Sequence, residues 1–443
     1  SKPEESFEGE GIIVFNTLSW NRDVPVEIQF PFETSPRYEI IDLTTNEKIE
    51  SFRKGIKQIF IARSLPSFGY KKYRLQQSEN KSPDSKLEIT DNSIENQFYI
   101  IEFDKSEKTI ISIMDKKSGK ELVDKKNELG FNQPLIERFQ EEEKFSQIKY
   151  DNEITEVKDE SPVRIILKVK REDQLFEETT YTLWNNIDRI DAEHIINLEK
   201  LEQTEKLEEY AVAFPFAVDD QKNLVEIIGG FINPEKEKLS GTDGDGFSIR
   251  RSIALFNNEH SISWTSVDAR VIRLREIEDK GILISNVVNN FPLDWNRYEE
   301  NKGKLNFRYS FTNQDGRFNS SFTSRFGWEV NTPAIVNKSW YRTEPTSKSF
   351  FQVDNENVIM LSLIPSVEEN SFSIRLMNSN PSESIKAKIS SEFLEGSDAF
   401  YTTYLGNKER PLMIDNNSTV VELNPNEIST IKIKIQDVDT VKK

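Results

Sequence analysis

The chemistry open to this chain is bounded first by its residue types. Its 443 residues include 2 histidines, 76 aspartates and glutamates, and no cysteine. Zinc sites draw mostly on His and Cys, so His194 and His260 are the only imidazole or thiolate ligands on offer, and no His-x-Asp pair occurs. His194 sits beside Glu193 in the strand-like run RIDAEHIINLE. It reads as structural rather than catalytic, because a lone histidine is weak evidence of a site. His260, in Asn-Asn-Glu-His, reads as a solvated turn residue. No catalytic residue and no metal ligand is assigned.

Two loops carry more pointed chemistry. Gly241-Thr-Asp-Gly-Asp-Gly-Phe247 alternates carboxylates with glycine in the manner of a calcium loop. It lacks the remaining ligands and the terminal Glu of an EF-hand, so a polar turn is the better reading. The second loop is NNFPLDWNRY, with Asn289, Asn290, Asp294, Trp295, Asn296, Arg297 and Tyr298 as candidate substrate-binding residues. Sugars need flat apolar surface for their C–H faces, and amide or guanidinium groups for their hydroxyls. This loop offers both. An ordered loop whose Trp295 and Tyr298 plug a sandwich edge is an equal alternative, since aromatics usually pack.

The elements that must hold these residues are strands. Short β-branched and aromatic runs, among them many of the 29 Phe, are separated by turns rich in Gly, Pro, Asn and Asp. That pattern describes an all-β protein. Asn92 to Asp124 reads as an antiparallel meander, with Tyr99, Ile101 and Phe103 on one face and Phe98 and Ile100 on the other, as in a strand covered on both sides. Residues 137–144 and 199–209 have helical composition and are expected to form short surface helices or loops. The organisation expected is a tail over 1–8, a small β-sandwich over 9–77, a linker over 78–91, a large β unit over 92–336, a terminal β-sandwich over 337–437 and a tail over 438–443.

A formal net charge of −18 argues against nucleic acid or an anionic membrane as a partner. No apolar run is long enough to span a bilayer, and no signal peptide is seen. With no cysteine, a reducing, cytoplasmic setting is expected.

Several blocks, in order, resemble the C-terminal β region of glycoside hydrolase family 38, the zinc-dependent α-mannosidases. They are NTLSWNR, LPSFGYKKY, the meander IMDKKSGKEL, RIDAEHIINLE with YAVAFPFAVD, the run from Gly229 through WTSVDARVIRL, and NNFPLDWNRYEENKGKLNFRYSFT. Where that family commonly has Gly before the second meander strand, this chain has Lys108. The resemblance implies a small β-sandwich, a large galactose-mutarotase-like antiparallel supersandwich and a terminal β-sandwich. It also implies a full-length retaining enzyme for α-mannosides. There an aspartate nucleophile, an acid/base carboxylate and zinc held by His and Asp would lie in a preceding domain, and none of the zinc ligands would lie in this chain. The separation of carboxylates that distinguishes glycosidase mechanisms is not a property of sequence.

The leading expectation is therefore a scaffold and cleft wall that works with its own N-terminal catalytic domain and is inactive alone. The alternatives are a stand-alone carbohydrate-binding protein and, less favoured, a mutarotase-like enzyme using His194 or His260 as acid or base.

Overall fold

The computed structural model describes residues 10–78, 88–106, 108–138, 145–148, 154–202, 206–237, 246–277, 280–290, 303–340, 345–366 and 370–435. The chain divides into two compact units. One comprises Ser1–Ser82, Ile228–Phe231 and Ser320–Lys443, the other Pro83–Ile227 and Ile232–Asn319. Nearly every described element is a strand, and the pairings are antiparallel, as the sequence implies.

The second unit is built on two large sheets. In one, the order is Ile154–Glu160, Arg164–Arg171, Phe176–Trp184, Ile190–Asn197, Lys304–Asp315, His260–Ser266, Ser252–Phe256 and Lys222–Ile227. In the other it is Phe145–Gln147, Gln133–Arg138, Glu208–Phe214, Lys280–Asn290, Val271–Ile277 and Gly246–Ser248. Side chains alternate across a strand, and the two inner faces meet in a single core. Leu167, Tyr181, Trp264, Tyr309 and Phe311 come from the first sheet, and Val212, Phe214, Ile272 and Leu283 from the second. Ring edges meet ring faces through the middle of this core, with Phe131–Phe214 at 5.8 Å and Phe214–Trp264 at 5.3 Å. These are the offset geometries that aromatic quadrupoles favour.

The meander is present as Ser93–Glu95, Tyr99–Phe103, Ile110–Asp115 and Lys120–Glu121. It is covered on one side, not both. Tyr99, Ile101 and Phe103 are buried, while Glu102 is exposed and Ile111 is 45% exposed. A bulge at Glu102/Phe103 then shifts the register, so Ile111 and Ile113 do not share an environment.

In the first unit, a small sandwich packs Glu10–Asn16, Gly69–Gln77 and Tyr38–Asp42 against Arg22–Gln29 and Lys57–Leu65, with Val14, Ile40, Phe60 and Tyr73 in its core. Its sheet is completed from far along the chain. Ile335–Trp340 pairs with Glu10–Asn16, and Ser347–Ser349 with Gly69–Gln77. A terminal sandwich follows. Val358–Ser366, Ser371–Asn378, Ile428–Lys434, Asp398–Thr402 and Lys408–Leu412 form one sheet; the other includes Ile385–Ser390 and Ser418–Leu423. Ile374, Leu376, Ile389, Val421 and Ile431 lie between them.

One local reading is corrected, and one helix interrupts the strands. Glu137–Arg138 and Glu208–Glu209 are strand ends rather than helical or loop residues, while Leu198–Lys200, at the start of the second stretch, makes a 3-10 turn. Ser320–Asn331 is a helix that the strand-like composition of SSFTSRFGWEVN conceals. Its Phe, Thr, Trp and Val are all better strand formers than helix formers.

Candidate sugar-contact site

Three strands of the six-stranded sheet end side by side. The register sets Glu137 opposite Glu209 and Glu209 opposite Asn289; one residue along, Arg138 faces Glu208 and Glu208 faces Asn290. Directly opposed residues share a face, so the strand ends carry two back-to-back polar clusters.

On the outer face, Glu137 accepts from Arg275 Nη1 at 2.8 Å and Glu209 pairs with Arg273 Nη2 at 2.6 Å. The Arg275 guanidinium also lies 4.8 Å from the centre of the Phe145 ring. Glu137 is fully buried, and its Oε2 has no hydrogen-bond partner. Loss of water pushes the Glu209 carboxyl up, against the pull of Arg273, and the like charge of Glu137 adds to the rise.

On the inner face, Glu208 accepts from Arg138 Nε at 2.9 Å, from the Tyr210 hydroxyl at 3.2 Å and from Asn290 Nδ2 at 3.2 Å. Burial pushes the Tyr210 phenol up, with the Glu208 charge adding to it. Asn290 also donates to the Glu202 carbonyl at 3.0 Å.

The residues singled out from sequence therefore separate. Asn290 is buried and committed to Glu208 and Glu202, whereas Asn289 is exposed. Asp294, Trp295, Asn296, Arg297 and Tyr298 lie outside the described residues, as do Gly241 to Asp245 of the acidic loop. The flanking charges, Glu137, Arg138, Glu208, Glu209, Arg273 and Arg275, escape sequence reading because each pair bridges distant stretches of chain. The one local signal is VIRLREI, where Arg273 and Arg275 alternate with Ile272 and Leu274.

Both histidines lie inside the sheets. His194 is 0% exposed. Its Nε2–H donates to Asn132 Oδ1 at 3.1 Å, and its Nδ1 accepts from the Thr179 hydroxyl at 3.1 Å; Thr179 in turn accepts from Arg171. This chain of bonds selects one neutral tautomer. Burial, with the Arg171 charge, lowers the imidazole to a pKa of about 3. His260 is 4% exposed, which corrects its reading as a solvated turn residue. Its Nδ1–H donates to Asn313 Oδ1 at 3.0 Å, and Asn313 Nδ2 donates to Asp115 Oδ2 at 2.6 Å. The meander carboxylate is thus joined to a histidine through one amide.

Both imidazoles are buried among the described residues. Among the described residues, no group of three or more His, Asp or Glu side chains is placed to hold a metal ion. No helix among the described residues is long and apolar enough to cross a membrane.

No protein-family model and no curated sequence matches the chain. Its fold does match solved structures. An α-mannosidase from Enterococcus faecalis V583 superposes with a TM-score of 0.71 at 14% identity, over 98% of this chain and 56% of that one. A glycosyl hydrolase family 38 protein from Enterococcus faecalis superposes with a TM-score of 0.72 at 14% identity, over 98% of this chain and 58% of that one. At this identity the likeness establishes a shared fold. The chain has the all-β architecture of part of an α-mannosidase structure and spans little more than half the length of either.

Proposed function

We propose that this chain is the C-terminal β region of a longer α-mannosidase of the family 38 type, serving as scaffold and as one wall of the sugar cleft. The observation that carries the reading is coextensive likeness: almost the whole chain follows a little over half of two such structures. Hydrolysis of terminal α-mannosides, and the zinc that assists it, then belong to residues outside this chain. The strand end at Asn289 supplies sugar contact, together with Asp294, Trp295, Asn296, Arg297 and Tyr298. Asn290 and the paired clusters around Glu208 and Glu209 hold that end in place.

The test is an assay of the purified, folded chain on an aryl α-mannoside with and without added zinc. No turnover is expected in either condition. Clear hydrolysis would overturn the reading, because the acid, base and nucleophile would then have to lie here.

A further inference from the structure

We propose that the outer face of the terminal five-stranded sheet binds an anionic glycan. The register fixes what that face presents. Ile374, Ile431 and Tyr401 point into the core, so their neighbours Arg375, Thr430 and Thr402 point outward in one cross-strand row, with Lys408 opposite Thr402. Arg375 Nε donates to Thr430 Oγ1 at 3.4 Å, and its guanidinium lies 4.0 Å from the centre of the Tyr404 ring. Tyr404 is nonetheless 73% exposed, so the ring face away from Arg375 meets solvent. Lys408 Nζ stands 4.7 Å from the centre of the half-buried Phe400 ring. Thr402 is almost wholly buried, and its hydroxyl has no hydrogen-bond partner.

A flat exposed ring suits the C–H face of a pyranose, and a guanidinium fixed by stacking and by Thr430 is pre-organised for a carboxylate. Carboxylates elsewhere on this chain of charge −18 are screened beyond roughly 10 Å at physiological salt. Locally, Arg375 and Lys408 outnumber Glu409, the exposed carboxylate beside Lys408. A uronic-acid chain engages Tyr404, Arg375 and Lys408 together, whereas a neutral glycan leaves Arg375 and Lys408 unused and an acidic peptide leaves Tyr404 unused.

The experiment is affinity electrophoresis of the whole chain through gels containing polygalacturonate, neutral mannan or polyglutamate. Retardation is expected in polygalacturonate and in neither of the others. Tyr404→Ala and Arg375→Gln are each expected to weaken it by about fivefold to tenfold. Tyr404 is exposed, so its variant tests the surface without burdening the fold, and near-ultraviolet circular dichroism checks Arg375→Gln. Three outcomes would overturn the proposal: no retardation by polygalacturonate, equal retardation by polyglutamate or mannan, or full retention by both variants.

Discussion

Lys108 Nζ lies 2.9 Å from Glu156 Oε1 while its own backbone is held at φ +51°. The family resemblance leads one to expect glycine here, and the left-handed backbone shows why: a side chain in that region costs roughly 1 kcal/mol. The lysine offsets that cost by reaching back to Glu156, to the Asp91 carbonyl and to Asn92 Oδ1. Lys108→Ala loses the anchors and keeps the strain; Lys108→Gly loses the anchors and relieves it. The glycine variant is therefore expected to be about 1 kcal/mol more stable than the alanine variant, measured by urea unfolding. Equal stabilities would show that the backbone carries no strain.

His194 makes stability depend on pH in a defined direction. Its pKa falls from 6.5 to about 3 on folding, so between these values the unfolded chain binds the extra proton. Stability then falls as pH drops through that window. The buried carboxyls of Glu209 and Glu226, raised chiefly by loss of water, act in the opposite sense by taking up protons in the folded state. The histidine's part is isolated by comparison with His194→Gln. Wild type is expected to lose about 2 kcal/mol more than the variant between pH 7 and pH 5. Parallel pH profiles would mean that the imidazole protonates without leaving the core.

The two histidines also show what sequence could and could not reveal. Ile190–Asn197 alternates strictly between buried and half-buried, so period-two patterning places His194 inward from sequence alone. His260–Ser266 is buried at every position. Alternation is lost there, and His260 looks like part of the preceding polar turn. The same limit applies to the site. NNFPLDWNRY gathers aromatic, amide and guanidinium groups within ten consecutive residues, whereas the Glu137–Arg275 and Glu209–Arg273 pairs join residues that only strand register brings together. The helix Ser320–Asn331 was hidden for another reason: tertiary burial of Phe326 and Trp328 overrides weak intrinsic propensity.

Asn289 and Asn290 are neighbours in opposite surroundings, one exposed and one buried, and the proposed function gives them separate tests. Asn289 is exposed, so Asn289→Ala should leave the melting temperature unchanged and weaken affinity for a mannoside by about threefold to tenfold, the worth of one hydrogen bond. Asn290 donates to Glu208 and to the Glu202 carbonyl from a buried position. Asn290→Ala should cost about 1–3 kcal/mol of stability, because it leaves a buried carboxylate short of a donor. Titration calorimetry and thermal melts on the two variants check the split. A stability loss in Asn289→Ala, or none in Asn290→Ala, would contradict it.

Gly69 tests whether the small sandwich depends on the strand that reaches it from residues 347–349. A Cβ at Gly69 would come 2.1 Å from the Lys348 carbonyl oxygen and 2.9 Å from Ser349 Cα. Both are backbone atoms, so no side-chain rotation relieves the clash, and the Ser347–Ser349 pairing must move away. Gly69→Ala is expected to destabilise by about 1–3 kcal/mol, in the range of other overpacked sites. Hydrogen exchange should quicken at the Lys72 and Phe350 amides, which bond to Thr346 and Phe68 across this junction. Gly246, also in a strand, has open space where its Cβ would go and an ordinary backbone, so Gly246→Ala is the control and should change stability little. If Gly69→Ala matches that control, the close approach of the two backbones is not what fixes the strand in the sheet.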